Sequence, residues 1–142
     1  MAENEIVIGA SRERVFAVLA DPAQYAEWVV GASRVRDADD AWPAPGSRFH
    51  HSTGVGPATI DDMTEVVECA APGRLALLAH LGPLGTFRVE LELEETGVEL
   101  THVRMREEPV EGISKAAGPV GDVAGRVRNK LSLARLKTLA ER

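Results

Sequence analysis

Several kinds of residue are scarce in this chain, and each shortage excludes a class of protein. Its 142 residues include one cysteine, Cys69, so no disulfide can form within the chain and a reducing compartment fits. The sequence has no apolar run near the roughly 20 residues that a membrane-spanning helix needs. Its first segment, MAENEIVIGAS, carries acidic residues where a signal peptide carries basic ones. We therefore expect a cytoplasmic protein that does not insert into membranes.

Positive charge is also scarce. The chain has 16 Lys and Arg residues against 22 Asp and Glu residues, which gives a net charge of −6. Binding nucleic acid through a broad basic face requires clustered Lys and Arg, so we expect no nucleic-acid partner. The histidines lack HxH or HExxH spacing, and Cys69 lacks a CxxC partner. We therefore predict no metal site and assign no cofactor.

The chain does have enough apolar residues for one packed core. Hydrophobic residues make up 44% of the composition. A chain of this length buries about two thirds of the surface that its unfolded form exposes. No internal repeat, low-complexity tract or linker divides the sequence. The prediction is a single domain over residues 1–142.

Two of the few aromatic residues stand close together beside a helix-breaking pair. Ser11 is a good N-cap for a first helix, and Pro22 ends that helix because proline moves the preceding residue out of the α region. Asp21 can cap a second, short helix in which Tyr25 and Trp28 share one face. The two rings therefore predict a wedge where two short helices meet, packed against a larger element.

Seven segments have the composition of β-strands. Turn signals separate the last four, and the short connections favour an antiparallel sheet. The clearest alternation sets Phe87, Val89, Leu91 and Leu93 against threonine and charged residues, which predicts one buried face and one wet face. The predicted strands are NEIVIG, SRVRDAD, SRFHHST, ATIDDMTEVVEC, RLALLAHL, TFRVELELE and VELTHVRMRE.

A long helix is predicted after the last strand, from about Pro119 to Ala140. Its apolar stripe is expected to cover the buried face of the sheet. The stripe consists of Val120, Val123, Ala124, Val127, Leu131 and Ala134. The predicted fold class is therefore α+β, with the order strand, two short helices, six strands and a long helix.

This order of elements resembles the helix-grip fold of the major birch pollen allergen, START lipid-transfer domains and aromatic polyketide cyclases. The sequence is more closely similar to bacterial SRPBCC proteins of the polyketide cyclase/dehydrase type. The similarity lies in VFAVLADPAQYAEWV, VVECAAPGRLAL, GPLGTFRVELELE, VRMREEPV and VRNKLSLARLKTLAER. It implies a seven-stranded curved antiparallel sheet wrapped around the long C-terminal helix, with a cavity that the Tyr25–Trp28 wedge closes at one end. It implies no particular chemistry, because the family shares no catalytic set.

Strand alternation selects the histidine that could face such a cavity. Adjacent residues of a strand point to opposite faces, so only one of His50 and His51 faces inward. Because His51 shares its face with the apolar Phe49, His51 is the candidate. The orientation of His80 stays open: a five-residue loop GPLGT turns it outward, and a tighter turn reverses this.

The last predicted strand offers a carboxylate on the same inner face. Val103 and Met105 mark that face, which places Glu107 with them. This register needs an odd-length loop around the preceding Thr-Gly pair. A strict two-residue turn would instead bury His102 and Arg104, which leaves two apolar residues exposed. The odd-length loop is therefore preferred.

Three functions are compatible with this fold. The preferred hypothesis is binding of a hydrophobic small molecule, such as a polyketide, lipid or aromatic metabolite, by a monomer or homodimer. A cyclase or dehydratase would use the same cavity, with His51 and Glu107 as an acid–base pair. The third possibility is a non-enzymatic interaction or stress-response module. The predicted cavity residues are Phe49, His51, Leu77, Phe87, Val89, Val103, Met105 and Glu107 on the sheet and Val120, Ala124 and Val127 on the helix.

Overall fold

The computed structural model describes residues 1–55, 58–82, 85–112 and 118–142. These residues form three helices, α1 (Arg12–Leu19), α2 (Tyr25–Trp28) and α3 (Gly118–Ala140), and a 3₁₀ turn at Pro22–Gln24. They also form seven strands: β1 (Ala2–Ile8), β2 (Ala32–Ala38), β3 (Arg48–Val55), β4 (Ala58–Ala70), β5 (Arg74–His80), β6 (Thr86–Gly97) and β7 (Leu100–Glu111). The strands make one curved antiparallel sheet in the order β1–β7–β6–β5–β4–β3–β2. The predicted α+β helix-grip fold is confirmed.

The short helices begin where the sequence predicts. The Ser11 side chain accepts a hydrogen bond from the backbone N–H of Arg14 at 3.2 Å, which caps α1. Asp21 accepts from the backbone N–H of Ala23 at 3.0 Å, with Pro22 in the first position of the 3₁₀ turn. The two capped segments and α2 connect β1 to β2.

Aromatic rings fill the end of the molecule that α2 covers. The ring centroids of Tyr25 and Phe49 lie 4.6 Å apart, and those of Trp42 and Phe49 lie 4.5 Å apart. Trp28 lies edge-on to Tyr25 at 5.8 Å and is only 3% exposed. Such edge-to-face pairs add to the stability that area burial provides. The buried rings belong to one hydrophobic core that also includes Leu77, Val103 and Met105.

The β6–β7 hairpin has the predicted odd-length connection. Glu95 pairs with Thr101, and a register shift precedes the next pair, Gly97 with Leu100. The extra residue in the bulge sets the alternation of β7. As a result Val103, Met105 and Glu107 are buried, whereas His102 and Arg104 are only partly buried. The preferred register is confirmed.

The structure also decides the orientation of His80. His80 pairs with Thr86 across the β5–β6 connection, of which residues 83 and 84 lie outside the described part. Its Nε2 atom lies 2.9 Å from the Glu65 carboxylate, and its Nδ1 atom lies 3.0 Å from the Thr86 hydroxyl. Its neighbour Ala79 faces the interior. His80 therefore lies on the opposite face of the sheet from the cavity.

The predicted inner face of α3 is wrong. Val120, Val123, Val127 and Leu131 are 78%, 52%, 59% and 52% exposed, so this stripe points to solvent. The buried residues of α3 lie on the opposite side of the helix: Gly125, Asn129, Ser132, Leu133, Leu136 and Ala140. Periodicity alone favoured the more apolar stripe, but the helix is held by its other face.

Polar contacts and two leucines fix α3 in this orientation. The backbone N–H of Val30 donates to Ser132 Oγ at 3.0 Å, and Asn4 Nδ2 donates to the backbone carbonyl of Arg126 at 3.0 Å. Leu133 and Leu136 are 1% and 0% exposed in the core. Burying these two side chains stabilises the orientation by a few kcal/mol. Among the described helices none is long and apolar enough to span a membrane.

Candidate functional site

An outer cleft lies between the start of β1, the adjoining ends of β6 and β7, and the first turns of α3. Its volume is about 460 Å³, within the range of small-molecule sites. Small or apolar residues make up much of its wall: Ala2, Phe87, Pro109, Gly121, Ala124 and Gly125. The charged side chains at the cleft are Glu107, Glu108, Asp122 and Arg128. The cleft exists because the inner face of α3 carries no large apolar side chain here.

Gly125 lets α3 approach the sheet at this cleft. A Cβ atom at position 125 would lie 3.2 Å from the Ala2 Cβ atom and 3.7 Å from Glu107 Oε1. The first distance is shorter than an ordinary van der Waals contact between carbon atoms. Glycine therefore permits close passage of the helix over β1 while leaving the Glu107 carboxylate room beside it.

A smaller inner pocket of about 60 Å³ lies deeper between the sheet and the helices. Its apolar wall comes from inward positions of β5 and β6 and from the segment after α2: Val29, Val30, Ala32, Ala79, Leu81, Phe87 and Val89. Its polar residues are Tyr25, His51, Glu107, Arg128 and Asn129. A pocket of this kind can hold one end of a ligand and orient it by a few hydrogen bonds.

An ion pair separates the two cavities. Phe87, Glu107 and Arg128 line both of them, and Arg128 Nη2 donates a hydrogen bond to Glu107 Oε1. Burial raises the pKa of Glu107, whereas the positive charge and the hydrogen bond of Arg128 oppose that rise. The Glu107 side chain is 9% exposed and that of Arg128 34%, so the pair is reached from the outer cleft.

A chain of polar side chains lies at the inner pocket. His51 Nε2 lies 3.0 Å from Thr64 Oγ1, and both residues are buried. The Tyr25 ring centroid lies 5.3 Å from that of His51. Burial raises the pKa of Tyr25 to about 12, and a hydrogen bond with Thr64 opposes that rise. At neutral pH the Tyr25 hydroxyl therefore stays protonated and can serve as a hydrogen-bond donor.

Asn129 adds a donor to the wall of the inner pocket. The residue is 1% exposed, and its Nδ2 atom has no hydrogen-bond partner of normal geometry among the described residues. Its amide lies close enough to Glu107 to lower the pKa of that carboxyl, which is the weakest of the effects on Glu107. An amide nitrogen has two N–H donors, and a buried donor without an acceptor costs about 1–3 kcal/mol. An acceptor oxygen on a ligand would remove that cost.

Some of the sequence-predicted residues meet at these cavities. His51, Phe87, Val89 and Glu107 line the inner pocket, and Ala124 lines the outer cleft. The other predicted positions lie elsewhere. Phe49, Leu77, Val103 and Met105 pack in the core, and the described lining of the two cavities does not include them. Val120 and Val127 are on the solvent side of α3, because the helix is held by its opposite face.

Sequence analysis missed the helix residues that shape the site. Arg128 and Asn129 were not selected, and Tyr25 was assigned to the core, although all three line the inner pocket. A signal for them exists in the pattern of α3. Asn129 lies four residues after Gly125 and three before Ser132, so small and polar residues share one helical face. No group of three or more His, Cys, Asp or Glu side chains in the described ranges could hold a metal ion.

The fold has helix-grip architecture. The family model for polyketide cyclase / dehydrase and lipid transport proteins matches residues 2–141. The chain belongs to this family, in agreement with the resemblance found in its sequence. The family and the fold support a ligand-binding SRPBCC domain.

Solved structures show the same fold at low sequence identity. A protein from Chromobacterium violaceum has a TM-score of 0.76 at 17% identity, covering 99% of this chain and 96% of its own. A hypothetical protein from Helicobacter pylori has a TM-score of 0.75 at 17% identity, covering 98% and 86%. A protein from Thermus thermophilus has a TM-score of 0.72 at 15% identity, covering 98% and 95%. No curated protein matches the sequence.

Proposed function

We propose that the protein binds a small, mostly apolar molecule whose body lies in the outer cleft and whose polar end enters the inner pocket. The observation that carries this proposal is the meeting of the two cavities, of about 460 and 60 Å³, at shared lining residues. Phe87 offers an apolar surface on both sides of the boundary. Binding of a ligand along this path would bury apolar surface of both partners, which is the main source of affinity in such sites.

The polar end of the ligand is expected to carry an acceptor oxygen. Asn129 Nδ2 makes no hydrogen bond of normal geometry among the described residues, and the protonated Tyr25 hydroxyl lies at the same pocket. A carbonyl or carboxyl oxygen would accept from these donors. Polyketides, lipids and aromatic metabolites all include molecules with an apolar body and such an oxygen at one end. This chemistry, rather than one compound, is what the pocket selects.

Catalysis in the same pocket is the alternative function. His51 and Glu107 both line the inner pocket and both are buried, which is the arrangement that acid–base chemistry requires. Burial raises the pKa of Glu107, and the charge and hydrogen bond of Arg128 oppose that rise. A dehydratase of this kind would remove water from a β-hydroxy carbonyl compound, with one of the two residues taking the proton next to the carbonyl and the other protonating the departing hydroxyl. The third possibility, a non-enzymatic interaction module, requires no bound ligand.

Native mass spectrometry of the purified protein tests the proposal. We expect a small molecule to co-purify and to be released on denaturation, and its mass to match an apolar compound with a terminal oxygen. Binding of 8-anilinonaphthalene-1-sulfonate gives a second measurement when no compound is retained. If the protein carries nothing and fails to bind this probe or any member of a panel of fatty acids and aromatic ketones, the interaction module is the better explanation.

The same measurement separates binding from turnover. A dehydratase should convert a bound β-hydroxy carbonyl compound to a product that has lost one water, and the change should be visible in the mass of the released ligand. His51→Gln should then abolish conversion while retaining binding. A ligand released unchanged after long incubation would support binding alone.

A further inference from the structure

Four apolar side chains form an exposed stripe along α3, here called the outer stripe: Val120, Val123, Val127 and Leu131. They are 78%, 52%, 59% and 52% exposed. Their spacing of three and four residues places them in one row along the helix. Large apolar side chains scattered singly over a surface are ordinary, but a continuous row on one face indicates a binding surface.

Basic side chains flank the outer stripe. Arg126 and Lys130 follow one edge of the row and Arg135 the other, and all three are exposed. Residues 118–142 contain six basic and two acidic side chains, a net charge of +4. The whole chain has a net charge of −6, so residues 1–117 carry −10. The helix is therefore a positive surface on an otherwise acidic protein.

We propose that the outer stripe is a docking surface for an anionic lipid bilayer. An interfacial helix lies in the plane of the membrane with its apolar face among the acyl chains and its Lys and Arg side chains near anionic headgroups. The outer stripe and its basic edges have this arrangement. The acidic remainder of the protein is repelled by the same headgroups, which orients the protein with α3 toward the bilayer.

The charge of α3 favours a lipid surface over a second copy of the chain. Two copies that paired through their outer stripes would bring their flanking Arg126, Lys130 and Arg135 side chains together. Like charges at such short range oppose association. An anionic bilayer instead offers charge complementarity together with an apolar layer for the four side chains.

The outer cleft lies beside the outer stripe. Gly121 and Ala124 line the cleft, and each directly follows a residue of the outer stripe, Val120 or Val123. Docking through the stripe therefore places the mouth of the cleft close to the lipid surface. An apolar ligand could then pass between bilayer and cleft with little exposure to water. The docking itself does not depend on what the cleft holds.

Sedimentation with vesicles tests the proposal on the full chain. We expect binding to vesicles of phosphatidylcholine mixed with phosphatidylglycerol, and weak binding to phosphatidylcholine alone. Added salt should reduce the binding, because it screens the attraction between Lys or Arg and the headgroups. Equal binding to both kinds of vesicle, or to neither, would overturn the proposal.

Substitutions in the outer stripe provide the decisive comparison. Val123→Asp combined with Val127→Asp should reduce the affinity for anionic vesicles by tenfold or more, since about one apolar side chain's burial is worth that factor. Val98→Asp is the matched control, because Val98 is 98% exposed in the β6–β7 turn, at the far end of that hairpin from Phe87 and Glu107. The control should bind like the wild type. Equal losses in both variants would contradict docking through α3.

Removing charge gives an independent readout. Arg126→Gln with Lys130→Gln should weaken binding by roughly fivefold per residue and flatten its salt dependence. Thermal melting of each variant checks that the fold is retained, which is expected because all four substituted side chains of the two double variants are exposed. Analytical ultracentrifugation without lipid tests whether a second copy of the chain binds the outer stripe instead. A dimer that the Val123→Asp and Val127→Asp changes convert to monomer would assign the outer stripe to a second copy and overturn the proposal.

Discussion

The two halves of α3 present different inner faces to the rest of the protein, although they form one continuous helix. In the C-terminal half Leu133, Leu136 and Ala140 are buried and fill the space against the core. In the N-terminal half the inner positions include Gly125 and Asn129. A curved sheet and a straight helix leave a gap wherever the helix carries no large side chain toward the sheet. The difference between the halves therefore explains where the cavities lie.

The largest effect on stability is expected in the C-terminal half of α3. Leu136→Ala should lower the free energy of unfolding by about 2–5 kcal/mol, because Leu136 is fully buried and alanine leaves a cavity. Leu131→Ala is the matched control on the same helix, and its 52% exposed side chain should change stability by less than about 0.5 kcal/mol. Urea denaturation measures both. Similar losses in the two variants would contradict the assignment of Leu136 to the buried face and Leu131 to the exposed face.

In the N-terminal half of α3, a larger side chain at the cleft should leave the stability unchanged but weaken ligand binding. Ala124→Trp places a large ring at the outer cleft and should weaken binding of 8-anilinonaphthalene-1-sulfonate by about tenfold, or about 1.4 kcal/mol. Ala134→Trp is the control, since Ala134 is exposed on the same helix and the described lining of the cleft does not include it. Fluorescence titration measures both. A wild-type affinity in Ala124→Trp would place the binding site elsewhere.

The ion pair at the boundary predicts a pH dependence. Burial raises the pKa of Glu107 above its ordinary value of 4.5. A carboxyl whose pKa is raised by folding contributes stability that is fully present below the unfolded pKa and is lost as pH rises through the folded pKa. Glu107→Gln cannot titrate, so the variant should gain stability relative to the wild type from about pH 4 upward, by less than about 1.4 kcal/mol per pH unit.

Chemical denaturation at a series of pH values measures this difference. Glu94→Gln controls for the loss of one negative charge at an exposed position on β6. A stability difference between Glu107→Gln and the wild type that stays constant with pH, or that changes in the opposite direction, would contradict the raised pKa.

The smallest change in stability is expected at Asn129. Asn129→Leu removes a buried donor that makes no hydrogen bond of normal geometry among the described residues, so stability should stay the same or rise by about 1 kcal/mol. Ser132→Ala is the comparison on the same face, where the hydroxyl accepts from the backbone N–H of Val30. That change should cost about 1 kcal/mol. A large loss of stability in Asn129→Leu would show that Asn129 has a structural partner and not a binding role.

The same Asn129→Leu variant tests the ligand chemistry. Its affinity for a ligand with an acceptor oxygen should fall relative to the affinity for the matching hydrocarbon, because only the former loses a hydrogen bond. Isothermal titration with a fatty acid and with its alkane analogue in detergent-free buffer compares the two. Parallel changes for both ligands would remove Asn129 from the recognition of the polar end.

Much of the fold could be predicted from local features. Ser11 and Asp21 cap their helices as their side chains indicate, and alternation along β7 gave the buried face that carries Glu107. His80 could not be oriented in the same way, because the direction depends on the geometry of the β5–β6 connection. For the candidate site, alternation selected His51 and Glu107, which line one pocket. Alternation gave no measure of how far the aromatic rings fill the space between sheet and helix.

The sequence by itself determined the order of elements, the alternation of the strands and the family, because caps, turns and period-two patterns are properties of short segments. Only the tertiary structure decided which face of α3 is buried. By composition, either of two faces of α3 could have been buried. The long-range contacts of Ser132 and Leu136 bury the less apolar face. The ion pair of Glu107 and Arg128 depends on the same choice. Packing against distant strands is a property of the whole chain, so the cavity and its charged boundary emerge only when α3 is in place.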